Sequence, residues 1–218
     1  MKLISGLLLS LLALTFSTQS NAQKFMIGYG ASVYTDFAFA SIESTDPALA
    51  ESDLSEVGVS LATLSLEAKY NVYELNSELA VAVASSPALG LMMFEDLTPD
   101  NFGHYRIPIM AQLDWGSLST FESLKDFGVG LGIGYQFASY GIFGEQPAIN
   151  ANGMVARLGF RYFSRNNAAR EIAIKYEFPR EVEQEYETFD FNTNEVTTES
   201  FTYDLSAVSL SFILYFNY

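Results

Sequence analysis

Cysteine is absent from the 218 residues, and histidine occurs once. No disulfide framework, thiolate metal site or cysteine nucleophile is therefore available, and any imidazole chemistry would fall to His104 alone. Basic residues are scarce: 11 Lys and Arg stand against 26 Asp and Glu, a net charge of −15. A surface of that sign repels phosphate backbones, which excludes nucleic acid as a partner. After the first residues no stretch holds 18 consecutive apolar side chains, so no transmembrane helix is expected. Long low-complexity segments and sequence repeats are lacking too. Yet 49% of the residues are hydrophobic and 15% aromatic. A load of that size must be distributed in a pattern that a search for long runs misses.

The N-terminus has its own logic. Lys2 is followed by an apolar run from Leu7 to Phe16, then by Ser20, Asn21 and Ala22. This order of charged, apolar and small residues reads as a secretory signal peptide over 1–22, cleaved after Ala22. Residues 23–218 are then read as one domain, exported from the cytoplasm.

Within that domain the apolar residues alternate with period two, the signature of strands with one apolar face. Eight segments show it. The first carries Phe25, Ile27, Tyr29, Ala31 and Val33; the second Leu64, Leu66, Ala68, Tyr70 and Val72; the third Leu79, Val81 and Val83. The fourth runs from Tyr105 to Trp115, the fifth from Phe127 to Phe137, the sixth from Ala156 to Tyr162, the seventh from Ile172 to Phe178, and the eighth from Val208 to Tyr218. None of the apolar-phase positions is charged. A Lys or Arg on a lipid-facing strand costs roughly 2–4 kcal/mol at the midplane, so a membrane strand excludes it. The intervening positions carry Glu67, Lys69, Arg106, Asp114, Arg157, Arg161, Lys175 and Glu177, with Glu171 a further candidate, amid many Gly, Ala and Ser. A soluble sandwich also alternates, but it turns its charges outward and feeds its core from two sheets.

The gaps alternate in length. Residues 35–56, 86–102, 139–151 and 179–202 form long connections, whereas 73–77, 116–126 and 164–170 are shorter. Short turns on one side and long loops on the other fit an all-β, eight-stranded antiparallel up-and-down transmembrane β-barrel. Two irregularities are expected. Pro108 should bring a bulge or a missing ladder bond. The apolar phase flips near Leu61 and near Ala207, as at a bulge or where a strand leaves the membrane.

The segments "YRIPIMAQLDW" (105–115) and "FGVGLGIGYQF" (127–137), with the aromatic C-terminus, resemble the small OmpA/OmpX-like members of the outer membrane protein beta-barrel family. The resemblance implies a barrel in the bacterial outer membrane, in contact with lipid and lipopolysaccharide, and a monomer. It also implies that Phe212, Leu214, Phe216 and Tyr218 form the insertion signal read by the barrel-assembly machinery. Nothing follows Tyr218, so the peptidoglycan tethering of the larger OmpA proteins is not expected.

Function is read from the lumen and the loops. Eight strands leave an interior just wide enough for side chains. Near-balanced lumen charges imply an ion-pair network that plugs it, with a narrow porin-like channel for small solutes as the alternative. No enzyme motif or cofactor motif is present: the glycines at 128–134 alternate along a strand rather than forming a phosphate loop. An enzyme using His104, with Asp100, Ser85 or Ser86 at the rim, is a third reading; a solvated rim histidine is the plainer one. The long loops hold nearly all the excess acid. Asp36 is assigned to the first, and Glu181, Glu183, Glu185 and Glu187 to the last, with Arg180 as its one base. Such loops suit a surface-interaction role, with divalent cations or a cationic surface as partner, or merely a solvated coat. No EF-hand spacing occurs, and the identity of any metal ligands stays open.

Overall fold

In a computed structural model the described residues are 25–43, 53–91, 102–120, 123–144, 148–164, 168–190 and 195–217. The signal-peptide segment and Tyr218 lie outside them. Ten strands are present: β1 Phe25–Glu43, β2 Asp53–Asn76, β3 Leu79–Ser85, β4 Ala88–Leu91, β5 Phe102–Gly116, β6 Phe127–Phe143, β7 Ile149–Asn150, β8 Gly153–Phe163, β9 Ala169–Asp190 and β10 Glu195–Asn217. β3 and β4 are one stave interrupted at Ser86–Pro87, and β7 and β8 share another. The ten strands therefore make eight staves. Every pairing is antiparallel, and β10 pairs with both β9 and β1, so the sheet closes on itself.

Closure turns the molecule inside out relative to a soluble protein. Leu64, Leu66 and Leu131 are 74%, 61% and 58% exposed, while Arg106 and Arg161 on the inner face are 0% exposed. The outer face is apolar along every stave, with aromatic clusters towards each end. Trp115, Phe127, Phe160 and Tyr162 form a chain of ring contacts at the end that holds the termini. Tyr135 with Phe137, and Tyr176 with Phe178, pair towards the opposite, loop end. Paired aromatic belts around an apolar band are the mark of a strand barrel immersed in lipid.

The irregularities have local causes. Pro108 faces the break between β3 and β4: the ladder to that stave runs from Ala84↔Met110 to Ala88↔Arg106 and skips the positions between. Pro108 has no N–H to donate, and its carbonyl instead accepts a 2.7 Å hydrogen bond from Ser85 Oγ. Register shifts where Ser32 pairs Thr63 but Tyr34 pairs Ser60, a bulge at Leu61–Ala62 that accounts for the first phase change. The second is a register shift between Leu205 and Ala207. On β10, Leu205, Ala207 and Ser209 all face inward, so that strand keeps its phase. The extra residue lies opposite, at Phe178–Pro179 of β9. Leu205 looked out of phase because it belongs to an apolar cluster inside the barrel.

The long connections at 35–56 and 179–202 are also largely strand rather than loop. β1 continues to Glu43 against β2, and β9 and β10 stay paired from Glu181↔Asp204 up to Asp190↔Glu195. Adjacent β2, β1, β10 and β9 thus form a continuous wall rising past the aromatic belt. At the termini end Gly116 (φ 77°) starts the β5–β6 turn, and a Cβ there would strike the Phe127 carbonyl. Its neighbour Leu118 also has positive φ (60°), which a side chain adopts only when its surroundings hold it there.

A positive charge at Leu131, on the apolar band, should cost about 2–4 kcal/mol of folding free energy. Leu124, in a turn, is just as apolar and 96% exposed; its replacement by Arg should change stability by no more than about 0.5 kcal/mol. Guanidinium titration of L131R and L124R in lipid vesicles measures both.

Candidate functional site: the charged lumen

Inward-facing residues from all eight staves meet in two charged layers. In the layer nearer the termini, Asp114 on β5 is the hub. It accepts from Lys69 Nζ (2.8 Å), Arg161 Nη2 (2.5 Å) and Gln112 Nε2 (2.6 Å). Glu171 on β9 accepts from Arg157 Nη2 (2.6 Å) and the Tyr215 hydroxyl (2.8 Å), and Arg157 Nη1 reaches across to Glu67. Three cations face three carboxylates. Gly130 and Gly159 make this possible, because a Cβ at either would overlap Asp114 or Glu171.

In the layer nearer the loops, Arg106 on β5 bridges Asp36 Oδ1 (2.5 Å) and Glu177 Oε1 (3.0 Å), with its guanidinium 3.8 Å above the Tyr34 ring. Arg180 Nη2 donates to Glu177 Oε2 (2.9 Å) and to the Tyr140 hydroxyl (3.0 Å), which itself donates to Asp36 (3.1 Å). Lys175 differs. Its ammonium donates only to hydroxyls, Tyr34 at 2.9 Å and Ser86 at 3.2 Å, and no carboxylate among the described residues lies within 4.0 Å.

Each layer is capped by apolar side chains. At the loop end Ala38, Tyr140, Ile149, Ala151 and Leu205 pack together, with Val182 against them. At the termini end Met26, Ala169, Ala173, Ile213 and Tyr215 pack with Leu118 and Phe163. Leu118 enters because the β5–β6 turn folds inward. Its carbonyl accepts from Lys69 Nζ (2.9 Å) and Arg161 Nη1 (3.3 Å), and the next carbonyl, of Ser119, accepts from Asn71 (2.6 Å). The turn is therefore a stopper held by lumen cations.

Glu67, Lys69, Arg106, Asp114, Arg157, Arg161, Lys175 and Glu177 all lie in the lumen, and all but Lys175 form ion pairs there. Two residues assigned to loops belong with them. Asp36 and Arg180 are inward-facing strand residues, because β1 and β9 run further than the apolar alternation does. His104 is not at a solvated rim. It is fully buried, with its Nε2 3.5 Å from Thr63 Oγ1 and its ring between those of Tyr34 and Tyr140. Ser86 meets Lys175, and Asp100 lies outside the described residues. Tyr34, Tyr140 and Tyr215 were missed from sequence. Their parity placed them inward, and inward tyrosines amid charges bring hydroxyls to carboxylates.

Among the C-terminal residues Phe212 and Phe216 are exposed on the outer face and Leu214 half-exposed. Glu181 and Glu183 are exposed on β9 beyond the aromatic belt, and Asp204 is exposed directly opposite Glu181. The strand continues with Glu185 opposite Ser200 and Glu187 opposite Thr198, though their side chains lie outside the described set.

An eight-stave antiparallel ring with a charged lumen and an apolar exterior decides the architecture. The fold is a closed, eight-stave antiparallel β-barrel. No protein-family model matches the chain, and no curated protein matches it significantly. Among solved structures it is similar to the outer membrane protein OprG from Pseudomonas aeruginosa, at 14% identity over 89% of this chain and 97% of that one, with a TM-score of 0.49. AlkL, solved in lipid bilayers, matches at 15% identity over 89% and 90%, TM-score 0.49. The outer membrane protease OmpT from Escherichia coli matches at 8% identity over 88% and 96%, TM-score 0.37.

Removing the Asp114 carboxylate strands Lys69 and Arg161 in the barrel. D114A should lose roughly 3–5 kcal/mol, the cost of breaking a buried pair from one side. The surface pair Lys125–Glu78 spans 3.5 Å with both side chains about 40% exposed, so E78Q should lose less than about 1 kcal/mol. Denaturant midpoints of the two variants in the same vesicles give the comparison.

Proposed function

We propose that the protein is a closed, non-enzymatic barrel of the bacterial outer membrane that holds an acidic ribbon at the cell surface. The sealed lumen carries this reading. Two ion-paired layers fill the interior, an apolar cluster covers each end, and the β5–β6 turn is hydrogen-bonded into one mouth. Conduction needs a continuous wet path of weak sites, whereas these cations and carboxylates bind each other.

His104 supports no hydrolytic role. Among the described residues its hydrogen-bond and ring partners are Thr63 and two tyrosines, and no carboxylate is hydrogen-bonded to the imidazole to orient it. The acids at the loop end favour interaction outward. Glu181 and Asp204 are like charges facing each other across a strand pair, an arrangement that is destabilising by itself and is relieved by a cationic partner: a basic surface, or divalent cations shared with lipopolysaccharide phosphates.

Purified protein reconstituted in planar bilayers should give no resolvable current steps in molar potassium chloride. Discrete steps from wild-type protein would replace this reading with the narrow channel. Deleting residues 117–120, which removes the stopper, is expected to introduce transient openings.

A further inference from the structure

The buried charges do not balance, and the imbalance has an address. Among the described residues the buried cations are Lys69, Arg106, Arg157, Arg161, Lys175 and Arg180, and the buried anions are Asp36, Glu67, Asp114, Glu171 and Glu177. Six against five leaves one positive charge. The layer nearer the termini is neutral, so the excess belongs to the loop-side layer, and within it Lys175 is the cation with no described carboxylate within 4.0 Å, the charge of Glu67 reaching it only from farther off. An unpaired charge away from water costs several kcal/mol unless something neutralises it.

A second, independent observation points the same way. Ser209 is the direct cross-strand neighbour of Lys175 and faces the same interior. It is 2% exposed, and its hydroxyl has no hydrogen-bond partner. In the same layer Arg180 Nε and Nη1 and Arg106 Nε are buried donors without acceptors. Among the described residues of that layer the unmatched acceptors, Asp36 Oδ2, Gln136 Oε1 and His104 Nδ1, equal those donors in number. Buried polar groups in native proteins are nearly always satisfied. A positive excess beside a buried hydroxyl without a partner is the chemistry of an anion site.

We propose that the loop-side half of the lumen binds one small monovalent anion, of the halide class, between Lys175 and Ser209. The inference rests on the sealed membrane barrel proposed above and deepens it: the anion is the counter-ion that completes the plug. A divalent anion would overshoot the single excess charge, and an organic anion much larger than a carboxylate would displace the packed tyrosines.

The test uses the full barrel refolded into vesicles at fixed ionic strength, with chloride exchanged for gluconate. Each tenfold rise in chloride above its dissociation constant should raise the unfolding midpoint by about 3–5 °C. K175M makes the buried charges five against five; it should stay folded in gluconate and lose the chloride dependence. Crystals of the wild-type protein grown in bromide should show an anomalous peak beside Lys175 and Ser209, a readout that does not need the variant to fold. A midpoint indifferent to chloride, the same dependence in K175M, or a bromide map empty at Lys175 would overturn the proposal. Current steps in bilayers would remove the sealed-barrel reading while leaving the bromide map to decide the anion site by itself.

Discussion

Hydrocarbon offers no hydrogen bond, so a sheet that crosses it can leave no backbone edge unpaired. From this single demand comes the ring. β10 must return to β1, the number of staves must let it arrive antiparallel, and the side chains are divided by the pleat into two populations that meet opposite solvents. Lipid takes the uncharged one. The other is enclosed in a space too narrow for bulk water, where each charge must find its complement among residues from other staves. The ion pairs are a consequence of closure as much as a support for it.

The lumen charges also fix the register. A slip of one residue in β8 would carry Arg157 and Arg161 from the interior into lipid while bringing Leu158 and Phe160 inside. Each exchanged charge would meet a penalty of a few kcal/mol. Charged residues on neighbouring staves raise the same objection to slippage at several heights. A lumen filled only with alanine and glycine would pair its strands equally well but would choose among registers poorly. The network buys specificity even where a buried pair contributes little net stability.

How much of this could be read from the chain follows from what alternation encodes. It sorts residues by face, so Glu67, Lys69, Arg157 and Arg161 could be placed inside without knowing any contact. It does not encode which stave lies across the lumen from which. Arg157 meets Glu67 from 90 residues away, a pairing set by closure and tilt rather than by local sequence. The errors cluster where polarity changed before the strand ended. Asp36 and Arg180 read as loop residues because the lipid-facing residues beside them cease to be uniformly apolar, although the backbone ladder continues. His104 reads as a solvated rim residue for the same reason. Leu205 acts in the opposite sense near Ala207, since an apolar residue on the inner face imitates a change of phase. The inward fold of the β5–β6 turn had no signal in the residue pattern beyond Gly116.

The ring is complete only where there is lipid to demand it. The 22 residues of β9 would extend about 75 Å at a strand's usual rise, against an apolar band about 25 Å tall. Among the described residues, the wall formed by β2, β1, β10 and β9 above that band has two lateral margins, with β9 running along one of them. A bare margin of this length would invite the corresponding strand of another copy in a crowded membrane. Glu181 and Glu183 stand along it, and with Glu185 and Glu187 they recur at every second residue, so two copies approaching side by side would bring rows of like charge together. These acids thereby keep neighbouring barrels from zipping into a continuous sheet.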